Sequence, residues 1–238
     1  YSDDLICYTR INMKNKLLFY LILSITTLSI HAQGITYHGS KHYNIKVNQF
    51  NKEGSLPDNA IVMLGDSHSE YGNDWNRFFP NARMIFNRGI IGDDSRGIFK
   101  RLNQILPYKP SKIFFECGTN DLSHGWTVER TFQGVVNIIE TIRKSCPQTK
   151  LYVQSLLPLN EKIGAWKLLK GKEDMIIQLN ERLKNYCNSN NLVFIDLYHP
   201  LLGTNTKEMH HEYCRDGLHL TNKGYEVWAN IIRNYINE

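Results

Sequence analysis

The chain has 238 residues, 42% of them hydrophobic and 21% charged, which is the make-up of one globular domain rather than of a disordered, collagenous or coiled-coil chain. Lys and Arg number 28 against 23 Asp and Glu, a net charge of +5 scattered without any basic block of five or more, so nothing marks a nucleic-acid binder. Five cysteines without a CxxC pair exclude a disulfide-built scaffold and a zinc knuckle.

Residues 1–12 precede Met13 and read as an upstream extension. Met13-Lys14-Asn15-Lys16 then leads into an uncharged run, Leu17–Ile30, followed by His31-Ala32-Gln33. A basic start, a short apolar stretch and a small residue predict a secretory signal peptide over 13–32, cut after Ala32. The run is shorter than the roughly 20 residues of a membrane span. The expectation is a periplasmic or secreted protein with no stable membrane insertion after cleavage. Cys117, Cys146, Cys187 and Cys214 would then lie where disulfides are permitted. Residues 33–58 are polar and without clear periodicity, and read as an N-terminal arm packed on a domain over 59–238.

Five short apolar runs read as buried parallel strands: Ala60–Leu64, Arg83–Phe86, Lys112–Glu116, Leu151–Gln154 and Leu192–Ile195. Helical stripes fall between and after them. Phe132, Val135, Ile139 and Ile142 form one, Ile176, Leu179, Leu183 and Tyr186 a second, and Val227, Trp228, Ile231, Ile232 and Tyr235 the last. Alternation of this kind implies a parallel sheet with helices on both faces, and sites in such sheets gather at the carboxyl ends of the strands.

Three motifs sit at such ends. Gly65-Asp66-Ser67 follows the first strand, and a serine on a strand-to-helix turn is placed to act as a nucleophile if a base takes its proton. Asn87 to Asp94 follows the second, and its glycines Gly89 and Gly92 let a backbone N–H face a ligand. Gly118-Thr119-Asn120-Asp121 follows the third, and the Asn120 amide offers donors to a developing oxyanion. A fourth motif, Asp216-Gly217-Leu218-His219, precedes the last helix, with a carboxylate placed to fix an imidazole tautomer. Each alone reads more readily as a turn, a cap or common surface chemistry.

Together, in this order, the four resemble the SGNH, or GDSL, hydrolase superfamily over residues 59–238. Block one falls on Gly65-Asp66-Ser67, the second-block glycine on Gly92, the third-block asparagine on Asn120, and the last block on Asp216 and His219. Ser155 to Asn160 resembles the acetylhydrolase-like branch. The resemblance implies a flavodoxin-like three-layer α/β/α sandwich with a parallel five-stranded sheet of order 2-1-3-4-5. It implies a serine esterase with Ser67, His219 and Asp216 as catalytic residues. The oxyanion hole would be built from the Ser67 and Gly92 N–H groups and the Asn120 side chain. No metal and no organic cofactor is implied, and the partner is a small-molecule or glycan ester. His68-Ser69-Glu70 departs from the family, which more often has a small residue and Thr there.

Other residues carry weaker expectations. His210, His211, Glu212 and Cys214 could ligate a metal but fit no strong pattern, and read as a solvated loop. His68 reads as a surface turn. Trp75, Trp126 and Trp166 are sugar platforms or core. Cys117 reads as a buried free thiol, and Cys146 and Cys187 as either a bridge or two buried thiols. No apolar, lipase-like lid is evident. As a base, His219 would titrate near about 6.5. Small-acyl glycan ester hydrolysis leads, with longer-chain lysophospholipase or thioesterase and glycan O-acyltransferase as alternatives. Oligomeric state is left open.

Overall fold

A computed structural model describes residues 39–238, apart from Arg83 and Ala165. The extension and signal segment expected at 1–12 and 13–32 lie outside these residues. Five strands, β1 (Ile61–Gly65), β2 (Ile85–Gly89), β3 (Lys112–Phe115), β4 (Lys150–Gln154) and β5 (Val193–Ile195), form one sheet of order β2-β1-β3-β4-β5. Every pairing is parallel, with Ile61 opposite both Ile85 and Lys112.

Strand alternation divides the apolar side chains between two layers. Val62, Leu64, Ile113, Phe115, Leu151 and Val153 face α3 (Ser95–Lys100), α5 (Val128–Ser145) and α6 (Glu173–Ser189). Ile61, Met63, Phe114, Tyr152 and Ile195 face α7 (Asn222–Asn237) and the turn carrying Trp75. The three predicted stripes lie in α5, α6 and α7, and the expected three-layer α/β/α sandwich with strand order 2-1-3-4-5 is the fold observed.

Two local expectations need correction, and one open alternative is decided. The polar stretch before Pro57 contains a helix, α1 (Lys41–Glu53), N-capped by Ser40. Its periodicity is faint because only Tyr43 and Phe50, seven residues apart, are buried. The second strand runs three residues beyond its predicted end, through Asn87-Arg88-Gly89. Asn87 is tolerated there because its amide donates to the carbonyls of Ser69, Glu70 and Asn73. Finally, Cys146 and Cys187 are not bridged. All four described cysteines are buried free thiols, and the Cys146 thiol lies 3.2 Å from the Leu106 carbonyl oxygen. Among the described residues no helix is long and apolar enough to cross a membrane.

Candidate active site

β1 delivers Ser67 to the carboxyl edge of the sheet. Asp66 caps the one-turn helix α2 (Ser67–Glu70) by accepting the His68 N–H at 2.9 Å, which makes Ser67 its first residue. Gly65 is demanded by crowding, since a Cβ there would stand 2.4 Å from Ser69 Oγ and 2.9 Å from the Glu116 carbonyl oxygen.

His219 arrives from the far end of the chain. Asp216 Oδ1 accepts the backbone N–H groups of Leu218 (3.2 Å) and His219 (2.8 Å), a tight turn for which Gly217 takes φ +94°. The turn folds the imidazole back on its own carboxylate. Nδ1 donates to Asp216 Oδ2 at 2.9 Å, which leaves Nε2 as an acceptor 3.0 Å from Ser67 Oγ. Ser67 and His219 are buried, while Asp216 keeps about a third of its side chain exposed.

Asn120 lies in α4 (Thr119–Ser123), which follows β3. Its amide donates to Asp66 Oδ2 (2.9 Å) and to the Asp93 carbonyl (3.0 Å). Gly92 sits beside Asp93 at φ +75°, in a turn closed by the Asp93 N–H on the Ile90 carbonyl. One side chain therefore ties the Ser67 turn to the Gly92 turn. Both amide hydrogens are engaged, so a ligand that takes a hydrogen bond from this amide has to draw one of them away.

Arg101, fully buried, locks the same corner. Its Nε donates to Asp93 Oδ2 (2.7 Å), and its terminal nitrogens donate to the carbonyls of Arg88 (2.8 Å) and Gly65 (2.9 Å). The ends of β1 and β2 and the Gly92 turn thus share one guanidinium.

The electrostatics differ from the unperturbed expectation. Burial and the neighbouring positive charge of His68 hold the His219 imidazole down at about 4, outweighing the Asp216 carboxylate that favours its protonation. Asp216 itself is pulled down to about 2, because the His219 backbone N–H and ring overcome its partial burial. His219 is thus a neutral base across the whole range from mildly acid to alkaline.

The mouth is aromatic and basic. Tyr71 and Trp166 stand edge-on to His219, with ring centroids 4.9 and 5.1 Å away. Trp166 Nε1 donates to the Asp216 carbonyl, and Arg215 lies over the Tyr71 ring. Trp166 belongs to a loop over 160–172 that is keyed into the Asp216–His219 turn. A Cβ on Gly217 would come within 1.8 Å of the Gly164 carbonyl oxygen, and one on Gly164 within 2.2 Å of the Asp216 carbonyl oxygen. The same loop exposes Ile163, Trp166 and Leu168, at 41, 45 and 62%. Of these three, Trp166 is the one in contact with the site, through the His219 ring and the Asp216 carbonyl.

Other expectations divide. Trp75 is core, packed against Trp228, and Trp126 is sandwiched by Arg96 and Arg130, so only Trp166 of the three reaches the site. The residues around His210 do not converge. Glu212 pairs with Lys223, and Cys214 Sγ accepts the Gly217 N–H. His68 is no surface residue but is buried beside Asp66 and Glu116. Tyr71, Arg101, Glu116 and Arg215 were not anticipated. Glu116 did leave a signal, a carboxylate closing the apolar run Ile113–Phe115.

Fold and site together define a three-layer α/β/α protein with a serine, histidine and aspartate in hydrogen-bonded line at the carboxyl edge of the sheet. The profile of the GDSL-like lipase/acylhydrolase family matches residues 55–227, and the chain belongs to that family of ester-hydrolysing enzymes. It is similar to human platelet-activating factor acetylhydrolase IB subunit alpha2, 28% identical over 125 residues, or 50% of this chain and 53% of that protein. The chain thus spans about half the length of the curated relatives it first matches. Among solved structures it resembles a Bacteroides fragilis protein described as an acylhydrolase, 25% identical with a TM-score of 0.72 over 86% of this chain and 98% of that one. It also shares its fold with an acetyl xylan esterase, 19% identical with a TM-score of 0.63 over 74% of this chain and 99% of that one.

Proposed function

We propose that this chain is an exported serine esterase that removes small acyl groups, acetyl above all, from a carbohydrate. The observation that carries the reading is the unbroken line Asp216 Oδ2, His219, Ser67 Oγ, with links of 2.9 and 3.0 Å. Ser67 Oγ attacks the ester carbonyl as its proton passes to His219 Nε2, and Asp216 stabilises the imidazolium. The oxyanion is taken up by the N–H groups of Ser67 and Gly92 and by the Asn120 amide. Collapse breaks the ester C–O bond, and the leaving alcohol takes the proton from His219. Water, deprotonated by His219, then cleaves the acyl-serine and restores Ser67. Neither a metal nor an organic cofactor takes part. Export is supported by the charge and hydropathy pattern of residues 13–32.

The acetyl preference has three supports: the names of the two acetyl-removing proteins above, the exposed Trp166 beside His219, and the edge-on Tyr71 and Trp166 rings that flank the imidazole. The exposed Ile163 and Leu168 favour a second reading, a longer-chain acylhydrolase whose alkyl tail lies along the 160–172 loop. Hydrolysis of p-nitrophenyl acetate against p-nitrophenyl octanoate separates them. Acetate is expected to give the higher kcat/KM, and an octanoate preference would overturn the carbohydrate reading.

The pH dependence is a further test. With His219 held at about 4, hydrolysis is expected to stay flat from neutral down to about pH 5 and to fall below that as the base is protonated. Measured kcat/KM with its midpoint near 6.5 would mean that the buried environment described here does not act on His219.

A further inference from the structure

His68 follows the nucleophile, yet its ring faces inward. Asp66, His68 and Glu116 are each no more than 1% exposed. His68 Nε2 lies 3.2 Å from the Leu218 carbonyl oxygen, which can only accept, so Nε2 carries a proton. His68 Nδ1 faces Asp66 Oδ1 at 3.6 Å and Glu116 Oε2 at 3.8 Å. Burial and Glu116 also push Asp66 up to about 8, so the cluster holds a shared proton. Both Asp66 oxygens already accept hydrogen bonds, from the His68 backbone N–H and from Asn120, which leaves the ring nitrogen as the place for that proton. Both Glu116 oxygens and His68 Nδ1 lack any other hydrogen-bond partner.

We propose that His68 is a positioning residue of the esterase site, a permanently protonated imidazole clamped between Asp66 and Glu116 that braces the His219 loop and by its charge keeps His219 unprotonated. The brace is direct, since Leu218 immediately precedes His219 and the two rings stand 5.7 Å apart. It also explains why His68 cannot leave. On the other side Tyr225 of α7 donates to its backbone carbonyl at 2.8 Å. Asp66 reaches Asn120, so the same cluster supports the amide assigned to the oxyanion. Burial opposes charge on His68, but Asp66 and Glu116 outweigh it and raise the ring to about 9.

The groups that act on the pair are few. His68 is faced by Asp66, by Glu116 at the end of β3 and by the Tyr225 hydroxyl group's contact with its backbone. His219 is faced by Asp216, Arg215, His68, Tyr71 and Trp166. Of these, Arg215 is half-exposed and paired with Asp216, which leaves His68 as the buried cation nearest the base. A divalent ion could in principle use the same donors, but both Asp66 oxygens already accept hydrogen bonds, and the cluster supplies no fourth donor.

The inference rests on the esterase reading only for its kinetic consequence, and the test separates the two. His68→Gln keeps an amide N–H for the Leu218 carbonyl and removes the charge. The acid limb of kcat/KM on p-nitrophenyl acetate is expected to move up by about one to two pH units, as a unit charge at this separation implies at an intermediate dielectric. In parallel, NMR of the wild-type histidine ring carbons should show one imidazole still protonated at pH 7, with its signal lost in the variant. A neutral His68 at pH 7 would overturn the proposal whether or not the variant folds. So would a variant with reduced kcat but an unmoved acid limb, which is the mark of a merely structural residue. One equivalent of metal in the purified enzyme, whose removal by chelation shifts the His68 signal, would overturn it in favour of a metal site. If Ser67→Ala kept full activity, the esterase reading would fail while the ring's protonation state still stood on the NMR alone.

Discussion

Ser67→Ala is expected to lower kcat/KM by about 10⁴–10⁶-fold while leaving the thermal midpoint nearly unchanged. The size follows from how the site is built. The hydroxyl is the one group in it that can form a covalent acyl intermediate, and nothing adjacent replaces it. Ser69 Oγ is fully buried, packed beside Gly65. The fold should survive, because the backbone of Ser67 is held by the Asp66 cap and by α2 rather than by its hydroxyl. Substrate should still bind, so KM should change far less than kcat. Steady-state hydrolysis of p-nitrophenyl acetate checks the loss, and a thermal melt checks the fold. Activity within tenfold of wild type would remove Ser67 as the nucleophile.

The second large effect is on stability. Arg101→Met should destabilise the protein by about 3–5 kcal/mol, the usual cost of removing one member of a buried ion pair. Methionine fills much of the space, so the loss is chiefly electrostatic and in hydrogen bonding. Asp93 is left without its cation, and the Gly65 and Arg88 carbonyls lose their donors. The deficit should depend on pH. Burial already pushes Asp93 up to about 7 despite Arg101, so its carboxyl is neutral below that and charged above. Without Arg101 the value rises further, and the charged form becomes costlier. The loss relative to wild type is therefore expected to grow between about pH 6 and pH 9. Urea denaturation at the two ends of that range measures it, and a loss that shrinks with rising pH would contradict the pairing. Activity should fall too, since Arg101 sets where Gly92 and Asn120 stand relative to Ser67.

What the sequence made legible was whatever repeats or is bounded by turns. The buried strands stand out because apolar runs such as Ile113–Phe115 have no other use, and the stripes of α5, α6 and α7 because each buries one face. The four motifs are visible because each begins at a strand end or in the last loop. The Ser67, His219 and Asp216 side chains converge in the structure, and Asn120 joins the turns of Ser67 and Gly92. What stayed hidden was long-range and polar. Nothing local says that Arg101 reaches three chain segments, or that His68 and Glu116 meet across the sheet edge. α1 was hidden for the opposite reason, because a helix that buries two side chains leaves almost no period.

The close approach of Gly164 to Gly217 has a consequence for engineering. The backbone carrying Trp166 and the backbone carrying Asp216 touch without any side chain between them, so neither loop can shift toward the other without a backbone clash. A graft that replaces 160–172 to alter acyl preference will transmit its own geometry to the catalytic turn unless it keeps glycine at 164. On the esterase reading, specificity and alignment of the His219 turn are therefore not separable modules. Productive variants should come from changing the side chain at 166 on the existing backbone rather than from exchanging the loop.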